Sequence, residues 1–439
     1  MNIIIVSELF HPQKSIGAVR PYNFATELAA MGHKVFCVIS ANEEMPDSAE
    51  TCNLKLFPVP DGSLGMKRTQ YEKEADAPSA PKAERTVAAA PVKPSAIQAW
   101  LRGTAAQAWV MAAEYERYRN ACRICSKIMD QEHIDLLLTS YGPIANLQVG
   151  LKMKKKYPRI PWVSDMRDPA DSGQLQFFWR QRGAFLQKKM LYRADKVVTV
   201  CDGISDRFRA MLPEHARGKV VTITNGYREE PALAVPAEDG VLRIGYTGDL
   251  YIGKRDMSEL FRCLRELEQR KGMRLPVEVH HAGPDSGTIL EQARKYNAEK
   301  YVVTHGRVSK AESLRLQERC DILCVLTWNT KQEQGVLTGK FMEYLRLRKP
   351  ILAIVTGDLE NAEVSRRIYD MNIGFSYECI RKDSDFGKMK NWLTMCLEKK
   401  KEGLPLLDAV NEEKVCAYSY KQLAKQYEVV LNNSRKAPG

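Results

Sequence analysis

Short apolar runs alternate with amphipathic segments along most of the chain. The first run, IIIVS (3–7), is followed by a segment in which Phe24, Leu28 and Ala29 recur at helical spacing. Gly32 ends that segment, and a second apolar run, VFCVIS, begins shortly after it. Apolar runs bounded by turn residues predict buried strands, and the spacing between them predicts a helix. A strand–helix–strand unit implies a parallel sheet, because parallel strands are joined by a crossover connection.

The same alternation continues in two series. In the first series, further buried strands are predicted at 134–140, 160–165 and 196–201. In the second series, strands are predicted at 242–248, 276–283, 301–306, 321–327 and 350–355. The fold class is therefore predicted to be α/β with two doubly wound halves, in each of which ligands bind at the carboxyl ends of the strands. A cleft is expected between the two halves.

Two segments interrupt the alternation. Residues 75–96 are rich in Ala and Pro without core periodicity, which predicts a mobile insertion at about 61–96. Residues 224–240 shift to Pro, Glu and Gly, which is typical of a linker. The predicted organisation is an N-terminal domain at 1–225, a linker at 226–241, a C-terminal domain at 242–410, and a C-terminal helix at 411–439 that can pack back on the N-terminal domain.

Size and composition agree with two globular domains. A chain of 439 residues exceeds what one hydrophobic core usually supports. No apolar run approaches the roughly 18 residues that a membrane span needs. The N-terminus begins directly with a strand pattern and lacks a basic segment and a cleavage site, so no signal peptide is expected. Eleven scattered Cys indicate reduced thiols in a cytoplasmic protein, because an odd, unpatterned set does not suit a disulfide framework.

The net charge of +12 is concentrated in two runs, LKMKKKYPRI (151–160) and WRQRGAFLQKKMLYR (179–193). Each run holds five basic residues and no acidic one, so an anionic partner is a reasonable expectation. Neither run shows a base-reading motif, and nucleic acid is therefore not expected. The second run interleaves Phe185, Leu186, Met190 and Leu191 at helical spacing, which suits a helix on an anionic membrane surface. A merely solvated basic face is the alternative.

The stretch GVLTGKFMEYLRLRKP (335–350) predicts a helix that begins near Gly339 and ends before Pro350. A Lys at position 340 opposes the helix dipole, which favours anions at a helix start. Lys340 and Glu343 either lie on a solvated face or belong to a site for an anionic ligand held by backbone N–H groups and a Lys charge.

With these residues in view, the chain resembles the family-4 glycosyltransferases (group 1) of the GT-B fold over nearly its whole length. The branch that it resembles most builds bacterial surface polysaccharides. Six stretches in the right order carry the resemblance: IIIVSELFHPQKSIGAVRPYNFATELAAMGHKVFCVIS, TSYGPIAN, WVSDMRDPAD, ITNGY, GYTGDLYIGKRD and GVLTGKFMEYLRLRKPILAI. The resemblance implies two Rossmann-like domains that face each other across a cleft. The N-terminal domain would lie on the acceptor side, and the C-terminal domain would bind the nucleotide-sugar.

The resemblance also implies a donor-binding site on the helix near Gly339. The helix N-terminus would point at the donor diphosphate, Lys340 and the N–H groups after Thr338 would hold phosphate, and Glu343 would accept from the ribose hydroxyls. Gly17 would let the backbone approach the donor without a Cβ in the way, although a surface turn glycine is the alternative. The complete set of expected donor-binding residues is Gly17, Gly248, Gly335, Val336, Leu337, Thr338, Lys340 and Glu343.

One position departs from the wider family pattern. In many relatives seven residues separate the ribose-binding Glu from an earlier Glu, and this chain has Gly335 at that earlier position, with Glu333 two residues before it. Either Glu333 substitutes from a shifted loop, or backbone groups of 335–338 contact the sugar. The donor-sugar contacts therefore stay open.

The expected catalytic residues lie in two loops. Lys254 and Arg255 resemble the family's phosphate-binding basic pair, which would stabilise charge on the departing diphosphate. Asp165, Arg167 and Asp168 follow a strand, and they either orient sugar hydroxyls or fix the loop by an internal ion pair. The resemblance implies retention of anomeric configuration by same-face attack, without a carboxylate dyad. The nucleotide-sugar is a substrate, and no cofactor or essential bound metal ion is expected.

These features predict a retaining glycosyltransferase that moves a sugar, with UDP favoured as the nucleotide, to a lipid-linked or oligosaccharide acceptor in cell-surface polysaccharide synthesis. The expected location is cytoplasmic and peripheral to the inner face of the cell membrane. Two alternatives remain at this point. One is a GT-B sugar-nucleotide 2-epimerase, and the other is a catalytically silent GT-B scaffold protein, which Gly335 in place of a Glu keeps open.

Overall fold

Two β-sheets flanked by helices organise the chain. The computed structural model describes residues 1–10, 16–41, 52–60, 96–171, 177–231, 235, 237–251, 254–334 and 337–435. The chain divides into unit 1, which comprises Met1–Val198 and Glu428–Gly439, and unit 2, which comprises Thr199–Tyr427. The predicted insertion at about 61–96 lies almost entirely outside the described residues.

The first sheet has seven strands in the order β3-β2-β1-β4-β5-β6-β7. Its pairings of β1 with β2 and β4, of β2 with β3 and of β4 with β5 are parallel. One edge strand, β3, contains Pro58. The strand bounds are β1 Asn2–Ser7, β2 Lys34–Ser40, β3 Leu54–Val59, β4 Leu136–Ser140, β5 Trp162–Met166, β6 Lys196–Thr199 and β7 Val220–Thr222.

The second sheet has six strands in the order β10-β9-β8-β11-β12-β13, and its pairings are all parallel. The edge strand β10 shifts its register between Thr304 and Gly306. The strand bounds are β8 Leu242–Thr247, β9 Val277–Ala282, β10 Val302–Gly306, β11 Ile322–Asn329, β12 Ile351–Gly357 and β13 Gly374–Glu378. The predicted pair of doubly wound α/β halves is confirmed.

Helices connect the strands. The bounds in unit 1 are α1 Ile16–Ala30, α2 Ala96–Gln131, α3 Ala145–Lys156 and α4 Phe177–Arg193. Those in unit 2 are α5 Asp202–Ala210, α6 Ser258–Lys271, α7 Ser286–Arg294, α8 Lys310–Arg319, α9 Gly339–Leu347, α10 Glu363–Met371, α11 Lys382–Lys401 and α12 Glu412–Cys416. The last helix, α13 Tyr420–Arg435, ends within unit 1. Among the described residues, none of the helices combines the length and the apolar character needed to cross a bilayer.

Strand order reverses at two places, and these places position the candidate sites. In the first sheet the chain runs outward from β1 on one side and from β4 on the other, and in the second sheet it does so from β8 and β11. Loops that leave the carboxyl ends of neighbouring strands diverge at such a switch point and leave a crevice for a ligand. The loops after β1 and β4, and those after β8 and β11, are therefore where function is expected.

The central strands of both sheets are buried on both faces. The strand β1 illustrates this, because Ile3, Ile4, Ile5 and Val6 are all essentially inaccessible to solvent. Parallel strands covered by helices on both sides read as continuous apolar runs and not as alternating ones. This explains why short apolar runs in the sequence located the strands well.

Helix α3 packs unusually close to β5 at Gly150. A Cβ added there would overlap the ring of Trp162. Trp162 is completely buried and its Nε1 donates to Thr139 Oγ1 at 2.9 Å, so the ring has little freedom to move.

We predict that Gly150→Ala lowers the free energy of unfolding of unit 1 by about 1–3 kcal/mol, the usual cost of overpacking a core. The matched control is Gly287→Ala in the first turn of α7, where a Cβ would meet nothing within 4 Å. That variant should be neutral or stabilising by up to about 1 kcal/mol, because Ala is the better helix former. Urea unfolding midpoints measure both changes, and equal midpoints for Gly150→Ala and wild type would contradict the packing argument.

Candidate functional site

The N-terminus of α9 lies at the carboxyl end of the second sheet. Thr338 caps the helix, since its side chain accepts a hydrogen bond from the N–H of Phe341 at 3.4 Å. Phe341 and Tyr344 are buried on the inner side of the helix and anchor it to the sheet. The helix ends at Leu347, after which Arg348 takes a left-handed conformation. The start predicted near Gly339 agrees with the structure.

Glu343 is the centre of a charged cluster on this helix. Its carboxylate contacts Lys340 Nζ at 2.9 Å, pairs with Lys310 of α8, and accepts from Gln317 Nε2 at 3.3 Å. The side chains of Glu343 and Lys340 are 21% and 25% exposed, so the cluster opens to solvent on one side. A ligand arriving there would meet two cations and one carboxylate beside the helix start.

Burial and charge act in opposite directions on this cluster. Burial alone would raise the pKa of Glu343, but Lys340 and Lys310 outweigh it and hold that pKa below its ordinary value. Desolvation lowers the pKa of Lys340 more than the neighbouring carboxylate raises it. Glu343 is therefore an anion at neutral pH, and it can accept hydrogen bonds but not donate them.

The end of β8 comes close to this helix start. Gly248 has φ of +146°, a conformation that side chains rarely adopt, and a Cβ placed on it would lie 4.0 Å from Lys340 Cε. The N–H of Gly248 donates to Ala282 O at 2.8 Å, which fixes the turn. The structure thus brings together three of the residues that the sequence assigned to the donor: Gly248, Lys340 and Glu343.

The basic pair after β8 is held by aromatic rings. Lys254 Nζ contacts Glu333 at 2.9 Å and lies 4.6 Å from the centre of the Trp328 ring. Arg255 lies over the ring of Tyr251 at 4.3 Å, and its Nη1 donates to Asp249 O at 2.9 Å. Cation–ring contacts of this kind orient a positive charge without neutralising it.

Glu333, the proposed substitute for the missing family Glu, also belongs to this arrangement. Besides Lys254, it accepts from Trp328 Nε1 at 2.7 Å. Its position is thus fixed by β11 and by the loop after β8. Of the remaining donor-loop residues, Leu337 is buried, whereas Gly335 and Val336 lie outside the described residues. Within the described part of the chain, no group of three His, Cys, Asp or Glu side chains could hold a metal ion.

The predicted residues of unit 1 form a second group, in which Asp165 pairs with a residue that the sequence did not single out. Arg20 on α1 makes a bidentate contact with the Asp165 carboxylate, with Nη2 to Oδ1 at 2.7 Å and Nε to Oδ2 at 2.9 Å. Both side chains are almost fully buried, at 2% and 3% exposed. Ser140 Oγ adds a contact of 3.3 Å. Asp165 therefore joins α1 to β5, and its ion-pair partner is Arg20 and not the Arg167 of the internal pair considered from the sequence.

Arg167 holds two neighbouring segments through their backbone. Its guanidinium donates to the carbonyls of Tyr141 and Gly142 after β4, and to that of Gly17 in the first turn of α1. Gly142 has φ of +111°, and a Cβ there would overlap the guanidinium, so this close approach requires glycine. Asp168 is exposed, yet neighbouring atoms partly desolvate its carboxylate and raise its pKa. Of the Asp-x-Arg-Asp run, Asp168 is the side chain best placed to meet a ligand.

Several contributors to these groups were missed from the sequence: Arg20, Lys310 and Gln317, and the ring residues Tyr251 and Trp328. Lys310 and Gln317 are seven residues apart on α8 and therefore share one helix face, which is the signal that could have suggested a common role. Nothing in the sequence indicates that this face meets Glu343. Arg20 is 145 residues from its partner, and only the pairing of β1 with β4 and of β4 with β5 brings the two together.

We predict that Asp165→Asn destabilises unit 1 by about 3–5 kcal/mol, because it leaves the Arg20 charge buried and uncompensated. Asp168→Asn is the matched control, with the same chemical change three residues away at an exposed position. It should change the free energy of unfolding by less than about 0.5 kcal/mol. Chemical denaturation of both variants measures this, and a stable Asp165→Asn protein would show that the buried pair is not structural.

Comparisons with known proteins agree with this architecture. Residues 17–226 match the model of a family described as "Glycosyl transferase 4-like domain". No curated protein matches the chain by sequence. Several solved structures are similar over nearly the full length of both chains, at identities that bear on the fold alone.

Three of these structures illustrate the range. Sucrose-phosphate synthase from Thermosynechococcus elongatus superposes with a TM-score of 0.62 at 13% identity, covering 98% of each chain. The lipopolysaccharide outer core galactosyltransferase WaaB gives 0.57 at 12% identity, covering 99% of each chain. A UDP-forming trehalose-phosphate synthase from Burkholderia vietnamiensis gives 0.59 at 12% identity, covering 99% of this chain and 100% of the other.

Proposed function

We propose that this chain is a glycosyltransferase of the GT-B fold, because residues 17–226 match a glycosyl transferase 4-like domain and the whole chain shares its fold with solved glycosyltransferases. It transfers a hexosyl group from a UDP-sugar to a hydroxyl group of a lipid-linked or oligosaccharide acceptor, with retention of anomeric configuration. The bond between the anomeric carbon and the diphosphate breaks, and a bond to the acceptor oxygen forms on the same face. The acceptor proton passes to an oxygen of the leaving diphosphate.

The cluster at the start of α9 is the observation that carries the proposal. A helix N-terminus offers free N–H groups and a partial positive charge, which suit a diphosphate. Lys340 adds a full charge beside Gly248, where the backbone leaves room for a phosphate to approach. Glu343, one turn further along, accepts hydrogen bonds from the two ribose hydroxyls. A ribose bound in this way competes with Lys310 for the carboxylate.

Lys254 and Arg255 assist the departure of the diphosphate. Negative charge grows on the leaving oxygen as the glycosidic bond breaks, and cations already in place stabilise that charge without reorganising. The rings of Trp328 and Tyr251 hold the two cations, and Glu333 limits the movement of Lys254.

The choice of UDP and of acceptor draws on the similar structures. A synthase described as UDP-forming and a lipopolysaccharide galactosyltransferase both share this fold over their full length. Together with the resemblance to the surface-polysaccharide branch, they support a UDP-linked donor and a saccharide acceptor of the cell surface. The basic runs in unit 1 favour action at the inner face of the cell membrane, where a lipid-linked acceptor would be reached.

We predict that UDP raises the melting temperature of wild type. We also predict that hydrogen bonds from the ribose hydroxyls to Glu343 contribute part of the affinity of the protein for UDP. UDP and 2′,3′-dideoxy-UDP are compared by calorimetry on wild type and on Glu343→Ala. Wild type should prefer UDP by about 1.5–3 kcal/mol, the scale of hydrogen bonds to a charged group, and the variant should bind both equally. ADP and GDP serve as competing nucleotides.

The control is Lys310→Ala, which removes a cation from Glu343 but leaves the carboxylate. It should keep the preference for UDP over the dideoxy compound. A preference that survives in Glu343→Ala would remove the ribose assignment, and failure of every nucleotide to bind would remove the proposed donor site.

We predict that Lys254→Ala and Arg255→Ala each lower the rate of UDP release from the sugar donor by about 10²- to 10³-fold, as loss of one charge-stabilising group does in other enzymes. Donor affinity should change much less, because these groups act mainly on the charge that develops during transfer. Lys331→Ala, an exposed lysine near the loop that holds Glu333, is the control and should leave the rate unchanged. If the variants weaken donor binding but leave the rate of UDP release unchanged, Lys254 and Arg255 would act in binding the donor and not in stabilising the leaving group.

A further inference from the structure

Helix α4 has one side in the core of unit 1. Leu186, Met190 and Leu191 are buried, and Gln187 is buried with them. At Gly183 the helix lies so close to the backbone of Ala170 that a Cβ would overlap the Ala170 carbonyl. Three of the four apolar residues that the sequence suggested for membrane contact, Leu186, Met190 and Leu191, therefore pack inward, and Phe185 does not. That part of the sequence interpretation is wrong, because helical spacing marks an apolar side without saying what covers it.

The outer side of α4 carries a different set of apolar residues. Phe178, Phe185 and Tyr192 are 52%, 59% and 54% exposed. Seven residues separate each from the next, which is close to two helical turns, so the three rings form one line along the helix. Three large exposed aromatic side chains in a line are unusual on a surface that meets only water. We refer to this line with its neighbouring lysines as the aromatic face of α4.

Basic residues surround the aromatic face. A groove of about 880 Å³ is lined by α3, α4 and Tyr118 of α2. The basic residues that line it are Lys152, Lys154, Lys155, Lys188, Lys189 and Arg193, and its lining includes no acidic side chain. One of the six, Lys154, is paired with Asp195 at 2.8 Å. Lys189 lies 4.2 Å from the centre of the Phe185 ring, so charge and aromatic surface are presented together.

The geometry favours a lipid surface over a nucleic acid. Successive rings are about 10 Å apart along the helix axis, given the rise of 1.5 Å per residue. Stacked nucleotides rise by about 3.4 Å, so these rings do not match a run of bases. A bilayer interface has no such repeat, and it accepts aromatic rings at the head-group level along the whole length of a helix. Lysine and arginine beside the rings meet lipid phosphates at the same depth.

We propose that the aromatic face of α4, with Lys152 and Lys155 of α3, docks on an anionic phospholipid bilayer. Phe178, Phe185 and Tyr192 enter the interfacial layer, and the flanking Lys and Arg side chains contact the head-group phosphates. The inference rests on the proposed function, because docking would bring the enzyme to a lipid-linked acceptor in the membrane. The surface itself is argued from exposure, spacing and charge in unit 1.

Co-sedimentation of the full chain with vesicles tests the docking. Wild type is mixed with vesicles of phosphatidylcholine alone and of phosphatidylcholine with phosphatidylglycerol, over a range of salt concentrations. We expect binding to the anionic vesicles that weakens as salt rises, and little binding to the neutral ones.

Two double variants locate the surface. Lys188→Glu/Lys189→Glu should lower the partition constant by at least about 20-fold, given about 1 kcal/mol for each basic residue near an anionic surface. Phe185→Ser/Tyr192→Ser should lower it by roughly tenfold, because aromatic area no longer enters the interface. The matched controls lie on exposed positions of unit 2: Lys271→Glu/Lys295→Glu carries the same charge change, and Met273→Ser/Leu404→Ser removes exposed apolar area. Both controls should bind like wild type.

Other outcomes overturn the proposal. If the charge variant and its control lose vesicle binding equally, the net charge of the protein and not a defined surface would account for the binding. Equal binding to neutral vesicles would remove the requirement for anionic lipid, and tighter binding to a single-stranded oligonucleotide than to vesicles would assign the face to nucleic acid. Each variant is first checked for an unchanged melting temperature and unchanged UDP binding. If the protein binds UDP but not vesicles, only the docking proposal is wrong. If it binds vesicles but not UDP, the proposed donor is wrong and the docking proposal stands.

Discussion

Parallel strand pairing is the constraint on which both units depend. Parallel strands cannot be joined by tight turns, so each connection crosses over through a helix, and helices then cover both faces of the sheet. Polar side chains gather at the carboxyl ends of the strands and in the loops that follow them. The candidate residues follow this rule: Asp165 and Arg167 end β5 or follow it, Gly248 follows β8, and Glu333 follows β11. Charged side chains are tolerated at these positions because the buried apolar strands end there.

The carboxylates of Asp165 and Glu343 have opposite environments. Asp165 is buried and fully engaged by one arginine, and it holds α1 against β5. Glu343 lies at the rim, balanced by Lys340 and Lys310, with part of its surface open to a ligand. A buried ion pair fixes the two elements that it joins, because loss of either partner would leave an unpaired charge in the core. A rim carboxylate can exchange one partner for another, which is what binding requires.

Local features of the sequence predicted local structure well and distant contacts poorly. Apolar runs located most strands, and the Thr338–Gly339 start of α9 followed from the residues that favour a helix start. The contacts of Glu343 with Lys310 and of Asp165 with Arg20 depend on strand order, which no short stretch of sequence encodes. Which apolar residues of α4 face the core could not be predicted for a related reason. Its spacing defines two sides, but only the packing of Gly183 against Ala170 decides which side faces the core.

The edge strands of the two sheets have a consequence for association. An exposed edge can pair with another chain and begin aggregation, unless something interrupts its row of hydrogen-bonding groups. The edge strand β3 carries Pro58, which has no N–H to donate, and the edge strand β10 loses its regular register between Thr304 and Gly306. Both features blunt the edges on which they lie. At these two edges, a strand from another chain would find an interrupted row of hydrogen-bonding groups. The apolar sheets are therefore protected there against extension by another chain.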